Sequence, residues 1–162
     1  MASKLDIHIV VDVYENENEL ITEDSHLLKK AREACQNAYA PYSHFCVGAA
    51  ILLDDGTVIL GSNQENDAYP SGLCDERTAI FATGANYPNK TIKKIAVTAC
   101  PHGYDHYVAA NPCGACRQAL SEYENKQLSP IEVIMEAGDG KIVVTPSVAS
   151  LLPLKFSGES LK

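Results

Sequence analysis

Pro112-Cys113-Gly114-Ala115-Cys116-Arg117-Gln118 is the stretch of this sequence best suited to chemistry. Its two cysteines stand three apart, after a proline and before a helix-forming run, a spacing that puts both sulfurs on one face of a helix start. Unpaired backbone N–H groups at a helix N-terminus carry partial positive charge and favour thiolate over thiol. A thiolate pair suits a soft or borderline cation, with zinc the default. A third cysteine lies upstream in Ser71-Gly72-Leu73-Cys74-Asp75-Glu76-Arg77, again where a helix would begin, with Glu76 two residues beyond it. Three thiolates fill three of four tetrahedral positions and leave the fourth for water, the pattern of a catalytic zinc site. A structural zinc site or a redox pair is the competing reading; Glu76 beside the open position weighs against both.

The rest of the chain must position these groups. At 162 residues and 46% hydrophobic, it reads as one globular domain with a proper core. A formal net charge of −8 argues against a nucleic-acid partner, which wants a basic groove. No apolar run approaches a membrane span, and the N-terminus lacks the pattern of a secretory signal. Six cysteines without such a signal suggest a reducing, cytoplasmic setting. Cys35, Cys46 and Cys100 sit in apolar surroundings and read as buried thiols. His102 and His106, near Cys100, read as a polar loop rather than a second metal site, because no fourth ligand is evident.

Residues 5–13 alternate, with Leu5, Ile7, Ile9, Val11 and Val13 on one face, and predict a strand at a sheet edge. Glu15–Glu19 reads as a solvated loop. Asp24 or Ser25 can cap a helix that presents Leu27, Leu28, Ala31, Ala34, Cys35 and Ala38 and ends near Tyr39, before Pro41. Strands follow at about 46–53 and 57–62 around an Asp54-Asp55-Gly56 turn. A helix over roughly 73–84, with Ala79, Ile80 and Phe81 inward, precedes a strand over 92–100, and a second motif helix covers roughly 114–124. Strands at 131–136 and 142–144, joined by Gly138-Asp139-Gly140, must pair antiparallel, since a parallel crossover needs a dozen residues or more. A short helix over about 146–152 ends at Pro153. The order predicts an α/β fold, a three-layer α/β/α domain with a mixed sheet and an antiparallel last strand. The whole chain, 1–162, reads as a single domain: an N-terminal extension (1–20) with an extra strand, a core (21–156) and a tail (157–162).

Together these residues resemble the cytidine deaminase family, in its small class with an all-cysteine zinc site. The match runs from about Leu27 to Phe156. It is carried by Ala-Tyr-Ala-Pro-Tyr-Ser-x-Phe at 38–45, Val47-Gly48-Ala49-Ala50, Asn63-x-Glu65-Asn66, Cys74-x-Glu76-Arg77-Thr78-Ala79, the Pro112–Gln118 motif, and Leu151-Leu152-Pro153 with Phe156. Cys-x-x-Cys alone is weak evidence; with Cys-x-Glu upstream and the nucleoside-side motif it is strong.

The resemblance implies one Zn2+ per chain held by Cys74, Cys113 and Cys116, with Glu76 as the catalytic proton shuttle in deamination of cytidine or deoxycytidine. It implies that Arg77 donates to ligand sulfurs and offsets their excess negative charge. Asn63 and Glu65 would hold the ribose hydroxyls, Phe45 would stack on the pyrimidine, and Tyr69 and Phe156 would line the nucleoside site, Phe156 from a neighbouring subunit. The backbone N–H of Asp75 would meet the pyrimidine carbonyl. The expected assembly is a homotetramer and the expected role pyrimidine salvage. The short link at 138–140 and the acidic charge point to a free nucleoside. Two departures stand out: Asp75, where the family usually has alanine, and Asp67, where it has a small residue. They leave open a deaminase of a related aminated nucleoside or nucleoside antibiotic, or a zinc-stabilised nucleoside-binding domain without turnover.

Overall fold

Six strands form one mixed sheet in the order β1-β6-β5-β4-β2-β3. The computed structural model describes residues 2–161, without the side chains of residues 159 and 160, so Lys162 of the anticipated tail lies outside the described residues. The strands are β1 (Asp12–Tyr14), β2 (Phe45–Leu53), β3 (Val58–Ser62), β4 (Ile92–Pro101), β5 (Glu132–Gly138) and β6 (Lys141–Thr145). The helices are α1 (Thr22–Cys35), α2 (Asp75–Asn86) and α3 (Gly114–Gln127). β4 and β5 run parallel and the other neighbours antiparallel.

The period of two along each strand sorts the side chains onto the two faces. Ala50 and Leu52 of β2, Ala96 of β4 and Ile134 of β5 pack under Leu27, Leu28 and Ala31 of α1. Their neighbours Ala49, Ile51, Ile95 and Val97 face Ala79 and Ile80 of α2 and Leu120 of α3. Each large side chain buried this way contributes roughly 1.5–3 kcal/mol of transfer free energy. The three-layer α/β/α reading therefore holds, as does the antiparallel β5–β6 pairing. The tight link there works because Gly138, Asp139 and Gly140 all adopt positive φ.

Two glycines set how closely the helices approach. A Cβ on Gly48 would lie 2.2 Å from the Ala31 carbonyl oxygen, and one on Gly61 would lie 2.4 Å from the Asp75 carbonyl oxygen. Gly61 thus lets the first turn of α2 rest directly on β3. Charges buried under α1 are paired: Lys94 Nζ meets Asp24 Oδ1 at 2.5 Å, and Arg32 donates to Glu136 Oε1 through Nε at 3.0 Å and Nη2 at 2.6 Å.

Several expectations fail for identifiable reasons. The strand expected over 5–13 is ordered as a strand only at Asp12–Tyr14. Its ladder with β6 ends at Asp12 opposite Val144; β6 stops at Thr145 and Pro146 has no N–H to offer. α1 starts at Thr22, so Asp24 lies inside the helix and bonds Lys94 instead of capping. It ends at Cys35 rather than near Tyr39, because the Tyr39 N–H is taken by the Asn63 carbonyl. Glu17–Glu19 is a 3-10 turn, with Glu17 paired to Arg32. Phe81 is 44% exposed, since the buried stripe of α2 runs through Glu76, Ala79, Ile80 and Thr83. The helix expected at 146–152 is a 3-10 turn at Val148–Leu151.

Candidate active site

The two motif helices start side by side, and their N-cap residues are Cys74 for α2 and Cys113 for α3. Both caps are extended, and neither side chain makes a capping bond to its helix, which leaves the sulfurs for one another and for Arg77. Cys116, one turn into α3, is fully buried beneath them. The Cys113 and Cys116 sulfurs are 3.2 Å apart, those of Cys74 and Cys113 are 3.9 Å apart, and all three lie within 4.8 Å of one another.

A tetrahedral ion with bonds of about 2.3 Å to sulfur holds its sulfurs about 3.8 Å apart, so the trio fits one Zn2+. It is the one such cluster among the described residues. The Cys74 thiol is drawn down to about 6 because the Cys116 thiol donates to it, against the opposing effect of burial, with help from Arg77 and Cys113. Cys116 is pushed up by that same contact and then by burial and the Glu76 charge. A cluster that already supports one thiolate is prepared for a cation.

Arg77 completes the sulfur environment. Its Nη2 lies 4.0 Å from Cys74 Sγ and donates to the Gly72 carbonyl at 3.3 Å, while its Nε is buried without a partner. Its guanidinium is stabilised in the charged form, against burial, first by the hydrogen bond to Cys74. Glu76 occupies the first turn of α2, is 3% exposed and lies against the Cys116 thiol. Asp75 beside it is 2% exposed, and its Oδ2 has no hydrogen-bond partner. Burial, followed by the neighbouring Glu76 charge, holds its carboxyl well above the usual range.

A cleft of about 710 Å³ opens next to Cys74, and Phe45, Asn63, Glu65, Tyr69, Asp75 and Arg77 all stand in its wall. Six of the sequence-predicted residues are therefore brought together beside the sulfur trio. Glu76 is not part of that wall but borders the sulfurs. Phe156 is not part of it either: it is 61% exposed, and its carbonyl accepts from Gln118 Nε2 at 3.1 Å. Within one chain, then, Phe156 stands apart from the residues it was grouped with.

The wall is rigid for local reasons. Asn63 Oδ1 accepts from the Val47 N–H at 2.9 Å and its Nδ2 donates to the Phe45 carbonyl at 2.9 Å, fixing the start of β2. Glu65 Oε2 accepts from the N–H groups of Tyr42 at 2.9 Å and Ser43 at 3.2 Å. Bonds from Ser43 and Tyr42 hold the Glu65 carboxyl below its ordinary range. Tyr42 packs edge-on against Tyr69, with ring centroids 6.1 Å apart. Tyr42 and Ser43 are wall residues that the sequence reading quoted within a motif but gave no role; their contribution is mainly backbone N–H groups, which leave no signature of residue type. Arg117, also given no role, ties the α3 start to Pro112 (Nε to carbonyl, 2.7 Å) and Leu151 (Nη1 to carbonyl, 3.0 Å). Glu124 anchors the other end by accepting from the N–H groups of Ile131, Val148 and Ala149 and from the Ser147 hydroxyl.

This chain is similar to known proteins over most of its length. Residues 21–130 match the family described as cytidine and deoxycytidylate deaminase zinc-binding region. A cytidine deaminase of Sporosarcina psychrophila is 40% identical over 135 residues, covering 83% of this chain and 92% of that protein. One from Halalkalibacterium halodurans is 39% identical over 137 residues, covering 83% and 95% respectively. The crystal structure of cytidine deaminase from Burkholderia pseudomallei superposes with a TM-score of 0.69 at 39% identity, covering 81% of this chain and 97% of that one. With these matches, and with the three sulfurs gathered where two helices begin, the chain belongs to the zinc-binding cytidine and deoxycytidylate deaminase family.

Proposed function

We propose that this protein hydrolyses cytidine and deoxycytidine to uridine and deoxyuridine, releasing ammonia. The observation that carries the proposal is the sulfur trio beside Glu76, opening onto a cleft lined by Phe45, Asn63 and Glu65. The names of the relatives support the same substrate.

Cys74, Cys113 and Cys116 would hold zinc, which when bound supplies a water acidic enough to act as nucleophile near neutral pH. Glu76 takes one proton from the attacking water and gives it to N3 of the pyrimidine as oxygen bonds to C4. It then takes the second proton from the new C4 hydroxyl and gives it to the amine, so that the C4–N bond breaks, ammonia leaves and the C4 carbonyl forms. Burial of Glu76 shields those transfers from bulk solvent. The Asp75 N–H meets the pyrimidine carbonyl from the helix start. Phe45 packs on the ring, and Tyr69, edge-on to Tyr42, lines the cleft. Glu65 keeps Oε1 for a ribose hydroxyl, because its other oxygen is committed to backbone. Asn63 has one lone pair and one N–H left for the sugar beyond its two bonds to β2. Arg77 steadies the negative sulfurs.

The family's description covers both nucleosides and nucleotides. Here the cleft favours the nucleoside: Arg77 is the cation of its wall and is committed to Gly72 and Cys74, while Glu65 is favoured as a carboxylate by its bonds from Ser43 and Tyr42. A 5′-phosphate would find no counter-charge. The proposal extends to a homotetramer in which Phe156 completes a neighbour's cleft, and to a cytoplasmic role in pyrimidine salvage. Among the described residues no helix is long and apolar enough to cross a membrane. The test is to incubate the zinc-loaded chain with cytidine, deoxycytidine or cytidine monophosphate and follow ultraviolet absorbance and ammonia. Turnover of the two nucleosides with the nucleotide left intact is expected; an inert zinc protein would overturn the proposal.

A further inference from the structure

Residues 5–11 carry a strand pattern without a strand partner. Beyond Asp12 the chain runs past the end of β6, and among the described residues 5–11 belong to no strand and make no backbone hydrogen bond. Their apolar side chains stand in water: Leu5 is 80% exposed, Ile7 45%, Ile9 49%, Val10 75% and Val11 40%. β1 is an edge strand whose outer side is open. An alternating segment that continues an open edge is a template for strand addition. It also lies outside the region shared with the family, which begins at residue 21.

We infer that residues 4–12 pair antiparallel with the same residues of a second copy of this chain, about a two-fold axis at His8. The sequence selects both the partner and the register. A self-paired strand is isologous, so each contact is made twice. Apart from Val10, the apolar side chains of the segment sit at odd positions, and only an axis passing through a residue sets odd against odd; an axis between residues would set each of them against the opposite set. With the axis at His8, Leu5 faces Val11, Ile7 faces Ile9, and Lys4 faces Asp12, giving two opposite-charge pairs at the ends of the ribbon. Moving the axis to Ile9 sets Asp6 against Asp12, a like-charge pair made twice. Moving it to Ile7 sets Lys4 against Val10 and loses both ion pairs. A foreign strand would have no reason to match this charge order, whereas a second copy matches it by construction.

Hydrogen exchange on the full zinc-loaded chain at several protein concentrations tests the inference. Alternate amides within 5–11 are expected to exchange about tenfold or more slowly at high concentration than at dilution. Lys4→Asp and Asp12→Lys should each abolish that protection, and the double variant should restore it, with cytidine turnover unchanged throughout. Fast exchange at every concentration overturns the pairing. Protection that ignores concentration and is unchanged in both single variants assigns the segment to its own chain and overturns it too. Single variants that keep protection, or a double variant that fails to regain it, refute this register and with it the self-complementary partner.

Discussion

Asn63 grips β2 with both ends of its side-chain amide, accepting from the Val47 N–H and donating to the Phe45 carbonyl, each at 2.9 Å. The residue expected to hold a ribose is therefore also the clamp that sets the strand carrying Phe45. Asn63→Ala should do two separable things. It leaves two backbone groups unpaired, costing about 1–3 kcal/mol of stability. It also raises the KM for cytidine. Thermal unfolding and steady-state kinetics on the same sample check both.

Arg77 lies 4.0 Å from Cys74 Sγ, with a buried Nε still free for a partner. Arg77→Gln keeps an amide at the site but removes the charge that offsets three thiolates. Zinc affinity should fall roughly 10- to 100-fold. Competition with a chromophoric chelator reads this directly, and the fold should persist.

Close approach of α2 to β3 depends on Gly61, where a Cβ would meet the Asp75 carbonyl at 2.4 Å and the Ala79 nitrogen at 2.5 Å. Both are backbone atoms and cannot yield without moving the helix. Gly61→Ala should cost about 1–3 kcal/mol or more and displace Cys74 from the other two sulfurs. Zinc per chain and melting temperature should fall together.

Glu17 is pulled below its ordinary value of 4.5, against burial, by bonds from Ser25 and Arg32. A lowered folded-state value means that its contribution to stability is present above pH 4.5 and is lost as pH falls through the folded value. Glu17→Gln should therefore lower stability at neutral pH and flatten the loss of stability on the acid side. Urea unfolding across the range from pH 7 to about pH 3 measures that difference.

How much of this was legible in the sequence divides along a physical line. Cys74, Cys113 and Cys116 could be placed because helix starts are local features: a proline, a small-residue run and a three-residue spacing suffice. The β5–β6 hairpin was legible through Gly138-Asp139-Gly140, whose backbone demands are equally local. Asn63's grip on β2 was not, because it depends on the β2–β3 register. The end of α1 at Cys35 was not, because the competing partner for the Tyr39 N–H is the distant Asn63 carbonyl. The strand pattern at 5–13 was read from the right residues, yet pairing in this chain is limited by Pro146, more than 130 positions away. Phe81 was misplaced by reading three consecutive residues as inward, which a helix cannot satisfy.

The central claim is that Glu76 moves protons beside a zinc held by three cysteines. Cytidine turnover should be measured for the wild-type chain and for Glu76→Gln, with zinc content determined on the same preparations. The account predicts about one zinc per chain in both and a loss of turnover of roughly 10²- to 10⁴-fold in the variant. A Glu76→Gln protein that keeps its zinc and still deaminates cytidine at the wild-type rate would contradict it.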